Sequence, residues 1–86
     1  MFSVYILKSL KDNKFYIGVT NDLRRRIGEH NSGKSPSTAP RAPFKLIYCE
    51  SYISEKDAKH REWNLKLHAR AFAQLKKRLE DTLNLI

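Results

Sequence analysis

The chain has little cysteine, few acidic residues and no long hydrophobic run. Its one cysteine, Cys49, leaves no partner for an internal disulfide and no companion thiolates for a cysteine-type zinc site. Because a free cysteine is usually buried as a small apolar side chain, we expect Cys49 to pack inside a strand. No run of 18 apolar residues is present, and the N-terminus shows neither a basic leader nor a cleavage site. We therefore expect a cytoplasmic protein without a membrane partner.

Basic residues outnumber acidic ones by a wide margin. The 17 lysines and arginines against 9 aspartates and glutamates give a formal net charge of +8, and the pI is near 9.9. Such an excess favours a polyanionic partner, either nucleic acid or an acidic membrane surface, and charge alone does not choose between them. With 86 residues and 41% hydrophobic content, residues 1–86 are expected to form a single domain with a small core.

Hydrophobic periodicity and turn signals predict an α+β fold with the order β-β-α-β-α-α. Asp12 and Asn13 are turn formers, so the second strand is expected to return antiparallel to a half-buried first strand. Thr20 or Asn21 is the expected N-cap of the first helix, and Ser54 that of the second. The predicted elements are strands over 2–7, 15–19 and 44–50, helices from about 22, from 54 and over 69–86, and a loop over 31–43. Simple alternation puts Phe44, Leu46 and Tyr48 on one face of the third strand.

The first predicted helix carries two polar side chains beside its apolar stripe. At about 100° per residue, Arg26 and His30 share a face with Leu23 and Ile27. A helix that used its cations only for solubility would place them on the opposite face, so we interpret Arg26 and His30 as positioned for a task. The polar residues that point elsewhere are Arg24, Arg25 and Glu29.

The second helix carries a carboxylate, Glu62, beside Ala58 and Leu65. A carboxylate in such a place should find a metal, a hydrogen-bond donor or a cation, and an ion pair with Arg61 or another arginine is the alternative. No second carboxylate is evident near Glu62, which favours one hydrated Mg²⁺ over a two-metal cluster. The three histidines lack the spacing of a zinc site.

Basic residues and one glycine lie around this set. Gly18 has no side chain, so a backbone or a ligand could approach the sheet there, with a bulge before the helix as the alternative. The loop over 31–43 is cationic and could clamp a nucleic-acid strand, or it could be a solvated connection. The residues expected to contact nucleic acid are Gly18, Arg24, Arg25, Lys34 and Arg41.

Together, these patterns give a candidate site made of Tyr5, Tyr16, Arg26, His30 and Glu62. Phosphodiester hydrolysis needs such parts: a cation to neutralise phosphoryl charge, a base for water and a carboxylate for a divalent metal. Arginine suits the first role because its fork binds two oxygens at once. The set therefore predicts a nuclease.

The same residues resemble the GIY-YIG nuclease superfamily. Val4-Tyr5-Ile6, nine intervening residues and Tyr16-Ile17-Gly18 are followed by Arg26, His30 and Glu62 at the family's places. The likeness covers residues 2 to about 68 and is greatest to small single-domain bacterial proteins related to the nuclease domain of the DNA-repair excinuclease. It implies a three-stranded antiparallel sheet flanked by helices, and a DNA endonuclease of repair or recombination.

The resemblance also implies roles for the site residues. Tyr16 would act as general base or orient the attacking water, with Tyr5 assisting. Arg26 would stabilise the phosphoryl transition state, His30 would support proton transfer, and Glu62 would bind one Mg²⁺ or Mn²⁺ ion.

Two further expectations concern partners and activity. Family members with defined substrates carry additional DNA-binding domains, so we expect low specificity or a targeting protein partner. The alternative function is a catalytically weak nucleic-acid-binding module of the same fold. That alternative needs lysines and arginines but no positioned carboxylate.

Overall fold

Strand β1 (Phe2–Ser9) lies between β2 (Phe15–Thr20) and β3 (Phe44–Tyr52) in a three-stranded antiparallel sheet. The computed structural model describes every residue from Met1 to Ile86. The helices are α1 (Leu23–Asn31), α2 (Glu55–Leu67), α3 (Ala69–Arg78) and α4 (Glu80–Asn84), with a short 3₁₀ helix at Ala39–Arg41. The predicted α+β class and three-stranded antiparallel sheet are confirmed. No helix combines the length and the apolar character needed to cross a membrane.

Polar residues stabilise the turn between β1 and β2. Asn13 adopts the left-handed conformation (φ 60°), which asparagine tolerates better than most residues. The Ser9 hydroxyl oxygen accepts bonds from the backbone N–H groups of Lys11 and Asp12, each at 3.1 Å. The predicted antiparallel hairpin is therefore confirmed.

Helices cover both faces of β1. Val4 and Ile6 join a core cluster with residues of α2 and α3, whereas Tyr5 and Leu7 pack on the opposite face with Phe44. All four β1 residues are buried. The prediction of a half-buried strand was wrong because alternation in one strand does not reveal that both faces are covered.

A bulge in β3 changes which side chains share a face. Ile6 pairs with Tyr48 but Leu7 pairs with Leu46, which leaves Ile47 as the extra residue. Ile47 and Tyr48 therefore both pack against the cluster around Val4, and the predicted grouping of Tyr48 with Leu46 was wrong. Cys49 follows the bulge on this edge strand and is exposed, so its predicted burial was also wrong.

The helix ends are set by local capping. Asp22 is the N-cap of α1, and its carboxylate accepts the Arg25 backbone N–H at 3.1 Å. The expected caps, Thr20 or Asn21, were therefore too early. Ser54 caps α2 as predicted, with its hydroxyl accepting the Asp57 N–H at 3.3 Å.

The segment predicted as one C-terminal helix forms two. Leu79 ends α3 with its N–H bonded to the carbonyls of Leu75 and Lys76, and α4 follows at once. With this break between the helices, Leu79 and Leu83 pack against the same core cluster as Leu75. The burial of these leucines thus outweighs the helical periodicity that predicts one continuous helix.

The segment between α1 and β3 is held at both ends. The Asn31 side chain accepts the Phe44 N–H at 2.6 Å and donates to the Phe44 carbonyl at 3.2 Å. Near the other end, Arg41 Nε donates to Asp12 Oδ2 at 2.8 Å. Ser35 and Thr38 between them are buried. The segment is therefore an ordered, partly buried connection and not only a solvated one, whereas its role as a clamp on nucleic acid stays a prediction.

Candidate active site

The hairpin register places the two tyrosines of the candidate site together. Tyr5 pairs with Gly18 and Leu7 pairs with Tyr16, so Tyr5 and Tyr16 are diagonal neighbours on one face of the sheet. Their ring centroids are 6.3 Å apart. The structure therefore brings together the two tyrosines that the sequence motifs single out.

Gly18 provides the space that Tyr5 occupies. A Cβ atom added at Gly18 would lie 2.4 Å from Tyr5 Oη and 2.6 Å from Tyr5 Cζ. The β1–β2 register is continuous at this point, so Gly18 is not a bulge. The expectation that Gly18 leaves room for a nucleic-acid ligand is wrong, because the phenol of Tyr5 fills that room and buries the glycine.

A chain of buried hydrogen bonds joins β1, α1 and the loop. The fully buried His30 places Nε2 2.9 Å from Tyr5 Oη and Nδ1 2.8 Å from Thr38 Oγ1. Thr38 Oγ1 donates to the Ser35 carbonyl at 3.4 Å, so its oxygen is left to accept the His30 Nδ1–H. We therefore assign His30 as the Nδ1–H tautomer, with Nε2 accepting the Tyr5 hydroxyl.

Burial fixes the protonation states of this pair. Burial, and then the charge of Arg26, lowers the pKa of His30, which keeps its imidazole neutral. Burial, with a smaller contribution from Tyr16, raises the pKa of Tyr5 to about 12. At neutral pH, Tyr5 is therefore a hydrogen-bond donor to His30 and not a base.

Tyr16 is the more accessible of the two phenols. Its side chain is half-buried, with its ring centroid 4.9 Å from that of His30. Lys66 Nζ on α2 lies 6.0 Å from the centroid of the Tyr16 ring. A water or substrate group can approach Tyr16, whereas Tyr5 is enclosed.

Arg26 is held in place by two acceptors. Its Nη1 donates to Glu29 Oε1 at 3.1 Å and its Nη2 donates to Ser35 Oγ at 3.3 Å. Burial alone would lower the pKa of Arg26, but the hydrogen bond to Glu29 and the nearby Tyr5 phenol outweigh this effect and raise it. The guanidinium is therefore cationic and positioned, and its side chain keeps 29% of its accessible surface.

Glu29 lines the cleft and was not among the predicted site residues. Its second oxygen, Oε2, accepts Arg25 Nη1 at 3.1 Å, so one carboxylate binds two arginines. The hydrogen bond to Arg26 comes first among the causes that lower the pKa of Glu29. Glu29 follows Arg26 by three positions and Arg25 by four, which are the spacings of ion pairs on a helix. This spacing is the sequence signal that could have identified Glu29 as a partner of the two arginines.

A polar cleft of about 490 Å³ lies between α1 and α2. Arg26, Arg25 and Glu29 line it from α1, and Glu62 and Lys59 line it from α2. Tyr5, Tyr16 and His30 do not line this cleft. The cleft therefore places the Arg26 guanidinium and the Glu62 carboxylate on the walls of one accessible space.

Glu62 does not form an ion pair with Arg61, which was the alternative to metal binding. Arg61 Nε donates instead to Glu50 Oε1 on β3 at 3.0 Å. Glu62 Oε2 lies 3.0 Å from Lys66 Nζ one turn along α2, and both side chains are partly exposed. Such an i,i+4 pair on an accessible helix face is weak, so it can give way to a more highly charged ligand.

The donor set fits a hydrated divalent cation that is shared with a substrate. The structure contains no group of three or more histidine, cysteine or acidic side chains placed to hold a metal ion. Mg²⁺ keeps several waters and commonly takes one or two carboxylates together with substrate phosphates. Glu62 in an open polar cleft matches that requirement, and carboxylate ligands suit Mn²⁺ equally.

The other predicted nucleic-acid contacts divide into two groups. Arg24, Arg25 and Lys34 are exposed, and Arg25 lines the cleft. Arg41 is bound to Asp12 and donates from Nη2 to the Phe15 carbonyl at 3.3 Å. Arg41 therefore fastens the loop to the hairpin, and its contact with nucleic acid stays a prediction.

Known proteins share the sequence pattern of this chain. The model of the GIY-YIG catalytic domain matches residues 1–78. A UPF0213 protein of Streptococcus pneumoniae serotype 4 is 44% identical over 64 residues, which are 73% of this chain and 64% of that protein. A UPF0213 protein of Halobacterium salinarum is 38% identical over 72 residues, which are 83% of this chain and 92% of that protein.

A solved structure shows the same fold. The solution NMR structure of the UPF0213 protein BH0048 from Bacillus halodurans is 39% identical, with a TM-score of 0.55. The likeness covers 90% of this chain and 84% of that one. The chain spans less than two thirds of the Streptococcus pneumoniae and Bacillus subtilis relatives, 64% and 63% of their lengths. With the family model matched over residues 1–78, the chain belongs to the GIY-YIG nuclease family.

Proposed function

We propose that the protein is a metal-dependent endonuclease that hydrolyses phosphodiester bonds of DNA. The observation that carries the proposal is the cleft in which Arg26 and Glu62 lie on facing elements. The net charge of +8 supports a polyanionic substrate. DNA repair or recombination is the proposed setting, by similarity to the excinuclease proteins.

Arg26 supplies charge stabilisation in this proposal. Glu29 and Ser35 each engage one terminal nitrogen of the guanidinium, which fixes its orientation before substrate arrives. A guanidinium has five N–H donors, so others remain for phosphoryl oxygens. Preorganised donors stabilise the negative charge that develops in the transition state without further rearrangement.

Tyr16 and His30 act on the proton of the attacking water in this proposal. The Tyr16 phenol, half-buried against His30, orients the attacking water or accepts its proton. Tyr5 assists by donating to His30 Nε2, which with Thr38 fixes the imidazole ring. With a pKa of about 12, Tyr5 itself stays protonated, so the base role belongs to Tyr16.

Glu62 is the residue that would hold Mg²⁺ or Mn²⁺. The ion, when bound, supplies Lewis-acid stabilisation of the phosphoryl oxygens. Lys66, which lies 3.0 Å from Glu62, releases the carboxylate for that purpose and is then free to meet a phosphate. One ion is proposed because the other two carboxylates of the cleft are paired elsewhere, Glu29 with Arg25 and Arg26 and Glu55 with Lys59.

Cleavage assays with Glu62→Ala test this function. Labelled single-stranded, duplex, flap and branched DNAs are incubated with Mg²⁺, Mn²⁺ or EDTA and the wild-type or variant protein. We expect metal-dependent nicking that falls by at least about 100-fold in the variant, while DNA affinity in EDTA stays unchanged. Glu80→Ala, which removes an exposed acid from α4, is the matched control and should cleave normally.

One result would replace the proposal with the binding-module function. If no DNA is cleaved under any metal condition, and both proteins bind DNA with the same steep salt dependence, the basic surface binds without catalysis. The +8 charge and the Glu62–Lys66 pair are the features that favour this second function.

A further inference from the structure

An exposed aromatic cluster lies on α2 directly after Glu62. Trp63, the only tryptophan, keeps 50% of its accessible surface. His60 stacks near its ring with centroids 6.4 Å apart and planes inclined by 16°, and His68 meets it edge-on at 5.1 Å. None of these three rings belongs to the core. A large aromatic face is therefore presented to solvent next to the proposed metal ligand.

Lysines alternate with this cluster on the same helix surface. At about 100° per residue, Lys66 and Lys59 lie between Glu62 and Trp63 around the helix, and Lys56 lies just beyond Trp63. All three lysines are exposed. Lys59 also lines the cleft, so the aromatic surface and the cleft are continuous. The acids opposing them are Glu55, 3.9 Å from Lys59, and Glu62 itself.

We propose that this surface, the α2 platform made of Trp63, His60 and the lysines Lys56, Lys59 and Lys66, binds an unpaired nucleobase next to the cut. The proposal rests on the proposed nuclease function and adds to it a substrate feature. Single-stranded nucleic acid is bound by aromatic side chains on which bases stack, combined with cations that follow the backbone. The α2 platform contains both components at neighbouring helix positions.

The chemistry of the surface favours a nucleotide over a protein as occupant. Leu67 is the one exposed apolar neighbour along this face, at 62% exposure, whereas three lysines surround the aromatic ring. Charged side chains, lysine above all, are depleted at the centre of protein interfaces. A base within a duplex already has neighbours on both faces, so only an unpaired base offers a face to Trp63.

The position of Trp63 limits where that base lies on the substrate. The Trp63 side chain lies about 100° around α2 from Glu62, and Lys59 and Lys66 lie between them. For a phosphate held between Arg26 and Glu62, these two lysines would guide the neighbouring nucleotide from the cleft toward the Trp63 ring. The substrate would be a DNA that is unpaired on at least one side of the scissile bond.

Tryptophan fluorescence tests the proposal directly, because Trp63 is the only tryptophan. Measurements in EDTA prevent cleavage and compare a single-stranded thymidine oligonucleotide of about 12 nucleotides with a blunt duplex of equal length. We expect the single strand to quench Trp63 and the duplex to leave it unchanged. Trp63→Ala should bind the single strand about tenfold more weakly, and Trp63→Phe should recover most of the affinity.

Ile53→Ala is the control, because Ile53 is 87% exposed and lies outside the α2 platform. It should bind and quench like the wild type. Circular dichroism of each variant confirms folding, which an exposed substitution should preserve. Absence of quenching, equal quenching by the duplex, or wild-type affinity in Trp63→Ala would overturn the proposal. So would concentration-dependent self-association that Trp63→Ala abolishes, without any response to the oligonucleotide.

Failure of this inference differs from failure of the nuclease function. Metal-dependent cleavage that Glu62→Ala abolishes and Trp63→Ala leaves intact, without fluorescence quenching, would refute the α2 platform alone. Quenching by the single strand without cleavage under any metal condition would support the α2 platform and refute the nuclease.

Discussion

Replacing Gly18 with alanine tests the close contact between β2 and the buried tyrosine. The new Cβ would lie 2.4 Å from Tyr5 Oη, 2.6 Å from Cζ and 3.0 Å from Cε1, all tighter than van der Waals contact. Tyr5 is 1% exposed and bonded to His30 at 2.9 Å, so its ring cannot move without losing that hydrogen bond. Overpacking typically costs about 1–3 kcal/mol, and a buried polar group left unpaired costs a similar amount.

These penalties exceed the benefit that alanine brings by stiffening the unfolded chain, about 0.5–1 kcal/mol. We therefore expect Gly18→Ala to lower the free energy of unfolding by about 2–4 kcal/mol, measured by urea denaturation, and to impair cleavage through the displaced tyrosine. Gly28→Ala is the matched control: a Cβ there meets nothing within 4 Å. It should raise helix stability by about 0.5–1 kcal/mol. Equal stability of Gly18→Ala and the wild type would refute the tight packing of Tyr5.

The contacts of the loop and the histidine give three more tests. Thr38→Val removes the acceptor of the buried His30 Nδ1–H and should cost about 1–3 kcal/mol in urea unfolding, whereas Thr38→Ser should cost less. Because burial lowers the pKa of His30 in the folded state, the unfolded chain takes up a proton first as pH falls through about 6.5. The melting temperature should therefore decrease from pH 7 to 5.5, and it should decrease less steeply for His30→Gln. The same pH dependence in both proteins would contradict a buried, neutral His30. Arg41→Ala breaks the ion pair with Asp12 and should lower the stability only slightly. It should leave DNA affinity nearly unchanged, unlike Arg25→Ala in the cleft, and a larger affinity loss for Arg41→Ala would support its predicted phosphate contact.

Local sequence signals predicted the elements of this fold well. The turn residues around Asn13 give the hairpin, and Ser54 caps α2 because a hydroxyl three positions before Asp57 can accept its N–H. The hairpin register then follows, and with it the diagonal pairing of Tyr5 and Tyr16. Helical periodicity likewise placed Arg26 and His30 on the covered side of α1. Each of these features depends on residues that are close in sequence.

The features that sequence did not predict depend on distant contacts. The loop residues Ser35 and Thr38 carry no local signal for their roles, because they become site residues only when the segment folds back onto α1. The β3 bulge at Ile47 reflects the packing of two different clusters against the two faces of β1. Glu29 was not predicted as a site residue because its pairing with two arginines becomes relevant only when α2 closes the cleft beside them.

The candidate site has a buried half and an accessible half. Mutations in the buried half affect the stability of the fold, whereas mutations in the accessible half leave it largely unchanged. Tyr5, Gly18 and His30 belong to the packing between β1, β2 and α1, so their substitution changes stability together with any catalysis. For a chain of 86 residues with few buried side chains, a loss of about 2–4 kcal/mol is a large part of the usual unfolding free energy of 5–15 kcal/mol. Glu62 and Trp63 lie on the accessible side of α2, where truncation leaves no cavity and no unpaired buried group. Variants on α2 therefore report on chemistry and substrate binding, whereas variants of the buried half must be interpreted against their measured stability.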